Sequence, residues 1–157
     1  MQRRNGRLKV CELEFPRRKV ALKLRILIAE DDLASRIFMS KLLARYGECD
    51  TVVDGFEVLD AFLLALKERK PYDLLCLDIM MPKLDGLKAL RAIREIERQN
   101  EFLTTPHKTK VIITTALNDR KTILSAQEAD CAAFAWKPID VEKFFQVMEH
   151  LGLTAAH

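Results

Sequence analysis

The stretch Leu74-Leu75-Cys76-Leu77-Asp78-Ile79-Met80-Met81-Pro82-Lys83-Leu84-Asp85-Gly86 admits few folds. Its unbroken apolar run, bounded by turn residues, reads as a strand covered on both faces, as in a parallel sheet. The run ends in a carboxylate and passes into turn chemistry. Asp78 is therefore expected at the carboxyl end of a buried strand, where open α/β sheets bind their ligands. Three other stretches lead to the same edge if each is a strand of one sheet. They are Arg25-Ile26-Leu27-Ile28-Ala29 into Glu30-Asp31-Asp32, Lys110-Val111-Ile112-Ile113-Thr114 into Thr115-Ala116, and Phe134-Ala135-Trp136 into Lys137-Pro138. That edge would collect carboxylates, a hydroxyl and an ammonium that packing does not require.

Helical patterns fill the gaps. Asp32 can cap a first helix whose apolar residues Leu33, Ile37, Phe38, Leu42, Leu43 and Tyr46 keep a 3.6-residue period, with Gly47 as its left-handed C-terminal residue. A short strand from Cys49 to Val53 and the Asp54-Gly55 turn precede a second helix with Val58, Leu59, Phe62, Leu63 and Leu66 inward. The strand before Asp78 is expected from Tyr72 to Leu77. Gly86 opens a third helix, the polar stretch Glu101 to Thr109 is a long connection open to local mobility, and helices are expected from Asp119 to Ala129 and Asp140 to Leu151. Asp85 and His107 read as surface residues. Five strands alternating with five helices predict an α/β, doubly wound parallel sheet.

The order of these motifs resembles the receiver domain of bacterial two-component response regulators: an acidic pair, then the LDIMMPKLDG run, then Thr-Ala, then Lys-Pro. The resemblance covers roughly Leu24 to Leu151. It implies the flavodoxin-like receiver fold with strand order 2-1-3-4-5. It makes Asp78 the phosphoacceptor, Glu30 and Asp31 the acidic pair that holds a metal, Thr115 the switch hydroxyl and Lys137 the phosphate-facing lysine. Phe134 falls where the family places its aromatic switch residue, and the Lys137–Pro138 bond where the family's is typically cis. Asp32 is the extra acid of Glu30-Asp31-Asp32, and aligning Arg36 with the family's basic residue makes Asp32 the helix-starting neighbour and not the direct ligand. The implied domain limits are a basic extension over 1–23, the receiver over 24–152 and a tail over 153–157, with no second domain expected after Leu151.

The residue types suit that chemistry. Phosphoryl transfer to a carboxylate needs a nucleophilic oxygen in line with the leaving group and positive charge on the phosphoryl oxygens. Glu30, Asp31 and Asp78 crowded together would repel one another unless a cation sat among them. Mg²⁺ fits, since it takes hard oxygen ligands and keeps several waters. The family pattern gives Asp31 and Asp78 as direct ligands, Glu30 acting through water, and the backbone carbonyl of Met80 as the third protein ligand. Lys137 would pair with Asp78 before reaction and with a phosphoryl oxygen after it. Met80 and Leu117 flank the site in the family pattern, and their apolar bulk implies slow self-dephosphorylation.

Charge divides the chain. Residues 1–25 hold nine Lys/Arg against Glu12 and Glu14, a net +7, leaving 17 basic and 21 acidic residues and a net −4 in the remainder. The arm suits an acidic partner, an anionic surface or nonspecific nucleic-acid contact, but carries no DNA-reading motif. Within it, Leu8-Lys9-Val10-Cys11-Glu12-Leu13-Glu14-Phe15 offers an added strand on a sheet edge or across a dimer. No apolar run reaches the ~20 residues of a membrane helix, and the basic start lacks a signal-peptide core. A cytoplasmic protein is the expectation. Cys11, Cys49, Cys76 and Cys131 are scattered without metal-ligand spacing and read as reduced thiols.

Other functions fit less well. A haloacid-dehalogenase-type phosphatase would place a second acid two positions after the nucleophile, where this chain has Met80. A flavodoxin-like cofactor binder would need a Ser/Thr/Gly loop where Glu30-Asp31-Asp32 stands. The expectation is a response regulator, a signalling phosphoacceptor and not an enzyme beyond its own phosphorylation and dephosphorylation. Its implied partners are a sensor histidine kinase or histidine phosphotransfer protein and a downstream target protein. Signalling would use the surface of the fourth helix, fifth strand and fifth helix, which also offers a homodimer contact. A phosphorelay intermediate is the alternative.

Overall fold

The computed structural model describes residues 23–116 and 118–155. The expected strand at Leu8 to Phe15, nearly all of the basic arm, and Leu117 lie outside the described residues. Strands β1 (Leu24–Ala29), β2 (Gly47–Val52), β3 (Leu74–Asp78), β4 (Lys110–Thr115) and β5 (Ala133–Trp136) alternate with helices α1 (Leu33–Leu43), α2 (Gly55–Lys67), α3 (Gly86–Arg98), α4 (Arg120–Glu128) and α5 (Val141–His150). The sheet order is β2-β1-β3-β4-β5, with every pair parallel. This is the predicted doubly wound topology.

Strand alternation sends successive side chains to opposite faces. Leu75 and Leu77 of β3 join Leu27, Val111 and Ile113 against Val58, Phe62, Leu66, Leu90 and Ile93 from α2 and α3. Leu74 and Cys76 join Ile26, Ile28 and Ile112 against Met39 and Leu43 of α1 and Phe144 and Met148 of α5. Each fully buried Leu or Ile contributes about 1.5–3 kcal/mol relative to exposure. Cys76 is buried among them as a free thiol whose pKa burial pushes up.

All five helices begin at an aspartate. The side chains of Asp32, Asp54, Asp85, Asp119 and Asp140 accept from the backbone N–H three residues on, at 2.8–3.0 Å. Each satisfies a donor that the first helical turn cannot. Asp85 is thus the cap of α3 and not a plain surface residue. His107 also differs from expectation: its half-buried ring meets the Tyr72 carbonyl at 2.8 Å, a carbonyl that also accepts from Thr109 Oγ1.

Two further expectations fail. Leu33, Ile37 and Phe38 are 60, 46 and 42% exposed; α1 does bury the expected Leu43, but joins to it Met39, which the pattern did not include. Apolar residues lie on several sides of this helix, so their period does not choose a face. Contact with Ile26 and Ile28 does. Gly47 does not end α1 in the left-handed region but starts β2, and a Cβ there would lie 1.9 Å from the Leu24 carbonyl oxygen. Close approach of β1, not backbone handedness, requires the glycine.

Candidate functional site

The carboxyl edge of the sheet gathers the site. The chain leaves β1 toward β2 on one side while β3 lies on the other, and this reversal opens a crevice at the ends of β1 and β3. Ala29 is level with Leu77, so Glu30 leaves β1 beside Asp78, the last residue of β3. Asp78 is level with Thr114, and Thr115 ends β4 one residue further. Lys137 follows β5, and its backbone N–H donates to the Thr115 carbonyl at 2.9 Å. The Lys137–Pro138 bond is cis.

Glu30, Asp31 and Asp78 each offer a carboxylate oxygen, all within 4.8 Å of one another. Glu30 and Asp78 are buried, and Asp31 is exposed. Lys137 Nζ bridges the buried pair, 2.5 Å from Glu30 Oε2 and 3.1 Å from Asp78 Oδ2. Asp78 Oδ1 accepts from the Met80 N–H at 3.1 Å, and Glu30 Oε1 from the Asp32 N–H at 3.2 Å. Burial raises the pKa of Glu30, the Lys137 hydrogen bond opposes that rise, and the charge of Asp78 adds to it. Burial works against the charge on Lys137, but the hydrogen bond to Glu30 and the charge of Asp78 outweigh it and hold the ammonium above its usual range.

The donor set fits a small hard divalent cation. Among the described residues the Asp31 carboxylate makes no hydrogen bond or ion pair, and Asp78 Oδ1 accepts only from the Met80 amide. Glu30 already spends both oxygens on Lys137 and Asp32, which suits contact through water and not direct ligation. Arg36, aligned with the family's basic residue, has a part the sequence reading missed: its Nη1 donates to the carbonyls of Glu30 and Asp31 at 2.9 and 3.2 Å, gripping the acidic turn. The local signal was an arginine one helical turn beyond the acids.

Behind β3 the loop closes tightly. The Gly86 N–H donates to the Ile79 carbonyl at 3.0 Å, and a Cβ on Gly86 would lie 2.3 Å from the Asp78 carbonyl oxygen. Phe134 is half-buried against the core, and its ring stacks on Trp136 at 5.5 Å and 7°. The sequence reading missed that stack. A cavity of about 380 Å³ opens beside the site between Phe38 and Met39 of α1 and Pro138 and Ile139, with Glu30 and Lys137 in its lining. A larger one, about 1150 Å³, lies at the opposite edge by Arg94, Asn100 and His107. Glu30, Asp31 and Asp78 have no part in it, so chemistry and not cavity size locates the site.

The family model for the response regulator receiver domain matches residues 26–149. This chain belongs to that family. It is 34% identical over 117 residues to Response regulator PleD of Caulobacter vibrioides, a match covering 74% of this chain but 23% of PleD. Probable chemotaxis protein CheY of Rhizobium etli is 28% identical, with 83% of this chain and 93% of that protein covered. Histidine protein kinase 1 of Candida albicans is 31% identical over 133 residues, of which this chain spans only 5% of the length. The chain thus spans less than a quarter of the length of some relatives and nearly all of others. Among solved structures, the receiver domain of the Arabidopsis thaliana histidine kinase CKI1 complexed with Mg²⁺ has the same fold, with a TM-score of 0.71 at 24% identity over 84% of this chain and 94% of that one. As a receiver domain the chain is a phosphoacceptor signalling module of the kind that partners histidine kinases and phosphotransfer proteins. Among the described residues no helix is long and apolar enough to cross a membrane.

Proposed function

We propose that this receiver takes a phosphoryl group from a phosphohistidine donor onto Asp78 with Mg²⁺, and controls a partner protein through the resulting change of shape. The observation that carries the reading is the meeting of Glu30, Asp31 and Asp78 within 4.8 Å, with Lys137 bridging two of them. An Asp78 oxygen attacks phosphorus in line as the bond to the donor imidazole nitrogen breaks, and the electron pair leaves with that nitrogen. Lys137 shifts from the carboxylate to a phosphoryl oxygen, and the Thr115 hydroxyl donates to another. Asp31, Asp78 and the Met80 carbonyl would hold the cation, with Glu30 acting through water, and the cation would supply positive charge for the carboxylate and phosphoryl oxygens. Motion of Thr115 toward the phosphoryl group draws Phe134 inward and alters the surface of α4, β5 and α5, a biased two-state equilibrium. The receiver unit is assigned to 24–152.

Incubation with a small-molecule phosphodonor, read by intact mass, tests the chemistry. The wild type should gain one acid-labile phosphoryl group with Mg²⁺ and none in chelator, and Asp78→Asn should gain none. An Asp78→Asn variant labelled at the wild-type rate refutes the assignment. The match to a histidine kinase far longer than this chain favours testing a relay role as well. A relay intermediate would pass the phosphoryl group on to a second histidine protein, whereas a terminal regulator would lose it only to water.

A further inference from the structure

The loop between β3 and α3 carries Met80, yet its backbone hydrogen bonds are short and internal: Met81 N–H to Ile79, Leu84 N–H to Pro82 and Gly86 N–H to Ile79. These curl the loop, and the Met80 N–H bond to Asp78 Oδ1 at 3.1 Å ties it to the end of β3, but none of them reaches the neighbouring helix α2. Two contacts reach across to the start of α2. Lys83 Nζ lies 3.2 Å from Asp54 Oδ2, and Leu84 sits so close to Gly55 that a Cβ there would fall 2.2 Å from the Leu84 carbonyl oxygen. Asp54 is buried and spends its other oxygen capping α2 through the Glu57 N–H at 2.9 Å. The carboxylate is therefore held by the helix it starts, and it presents a fixed acceptor to the loop. Lys83 meets it from a left-handed backbone, φ 65°, a conformation that a non-glycine residue keeps only when its surroundings impose it.

We propose that Asp54 and Lys83 are positioning residues for the cation site, their ion pair pressing the 79–86 loop onto the α2 start and so setting the place of the Met80 carbonyl. This rests on the assignment of that carbonyl to the cation. Outer contacts that orient a ligand commonly change metal affinity about 10- to 100-fold when lost. The Lys83 side chain is 67% exposed, and solvent screening reduces its share. A weakening of about three- to tenfold is the expected effect.

The test uses the full chain. Lys83→Met keeps the stem and removes the charge, Asp54→Asn keeps a cap for α2 while removing its charge, and Lys83→Arg restores a cation. Mg²⁺ affinity is measured by calorimetry, and amide exchange of residues 80–84 is followed in metal-free protein. The expected result is several-fold weaker Mg²⁺ binding and faster loop exchange in Lys83→Met and Asp54→Asn, with the double variant no worse than either single one and Lys83→Arg close to wild type. Unchanged affinity overturns the proposal. So does faster exchange with unchanged affinity, which reduces the pair to a structural contact, and so do additive losses in the double variant. A wild type that binds no Mg²⁺ is seen before any variant is compared, and it refutes the cation site itself.

Discussion

Replacing Lys137 with methionine tests the electrostatic design of the site most directly. Two buried carboxylates, Glu30 and Asp78, share this ammonium at 2.5 and 3.1 Å. Removing one partner of a buried pair costs about 3–5 kcal/mol because the remaining charge stays desolvated. The Lys137 side chain is itself 25% exposed, so water reaches the site and the cost falls to about 2–3 kcal/mol in chelator at pH 7.5. For a chain of this size that is a fall in Tm of roughly 5–10 °C. The pH dependence has a definite sign. Burial first, and then the charge of Asp78, raises the folded pKa of Glu30 above its ordinary 4.5, and without Lys137 it rises further. Between the unfolded and folded values the native state of the variant binds more protons than the unfolded state, so its stability falls as pH rises. The stability gap between wild type and Lys137→Met should therefore be widest near neutral pH and shrink as pH drops toward 4.5. Mg²⁺ should stabilise each protein by about 2.7 kcal/mol at a hundred times its own Kd, so at one Mg²⁺ concentration the gap changes only by the difference between the two gains. Urea unfolding of both proteins from pH 4.5 to 8, with chelator and with Mg²⁺, checks this. A gap that is the same at pH 4.5 and 7.5, or below about 1 kcal/mol at pH 7.5, would refute the reasoning.

Gly86→Ala places a Cβ 2.3 Å from the Asp78 carbonyl oxygen and 2.9 Å from Ile79 Cα, both backbone atoms that cannot step aside alone. It should cost about 1–3 kcal/mol by urea unfolding, and an unchanged midpoint would contradict the closeness of that contact. The chain's single tryptophan stacks on Phe134, so inward rotation of Phe134 must unstack the pair. Trp136 is 44% exposed. Its emission should change when a phosphoryl mimic binds and resemble that of Phe134→Ala without the mimic. Emission indifferent to both would remove Phe134 from the signalling path.

Much of this protein is written locally. Runs such as Leu74–Leu77 read as strands because a strand buried on both faces needs apolar residues at every position, and each helix start is marked by an aspartate whose bond spans three residues. The strand ends therefore located Glu30, Asp78, Thr115 and Lys137 in advance, and motif order did the rest. Tertiary structure alone decided the contacts that cross the chain. Glu30 and Lys137 are 107 residues apart, and their 2.5 Å contact exists because the crossovers bring the ends of β1 and β5 to one edge. The same holds for the grip of Lys83 on Asp54 and for the stack of Trp136 on Phe134. In α1 the limit is plainest. Its apolar residues offered several faces, and the choice of Met39 beside the expected Leu43, over Leu33, Ile37 and Phe38, was made by the sheet it packs against, because periodicity records which residues can be buried together and only the partner surface selects which are.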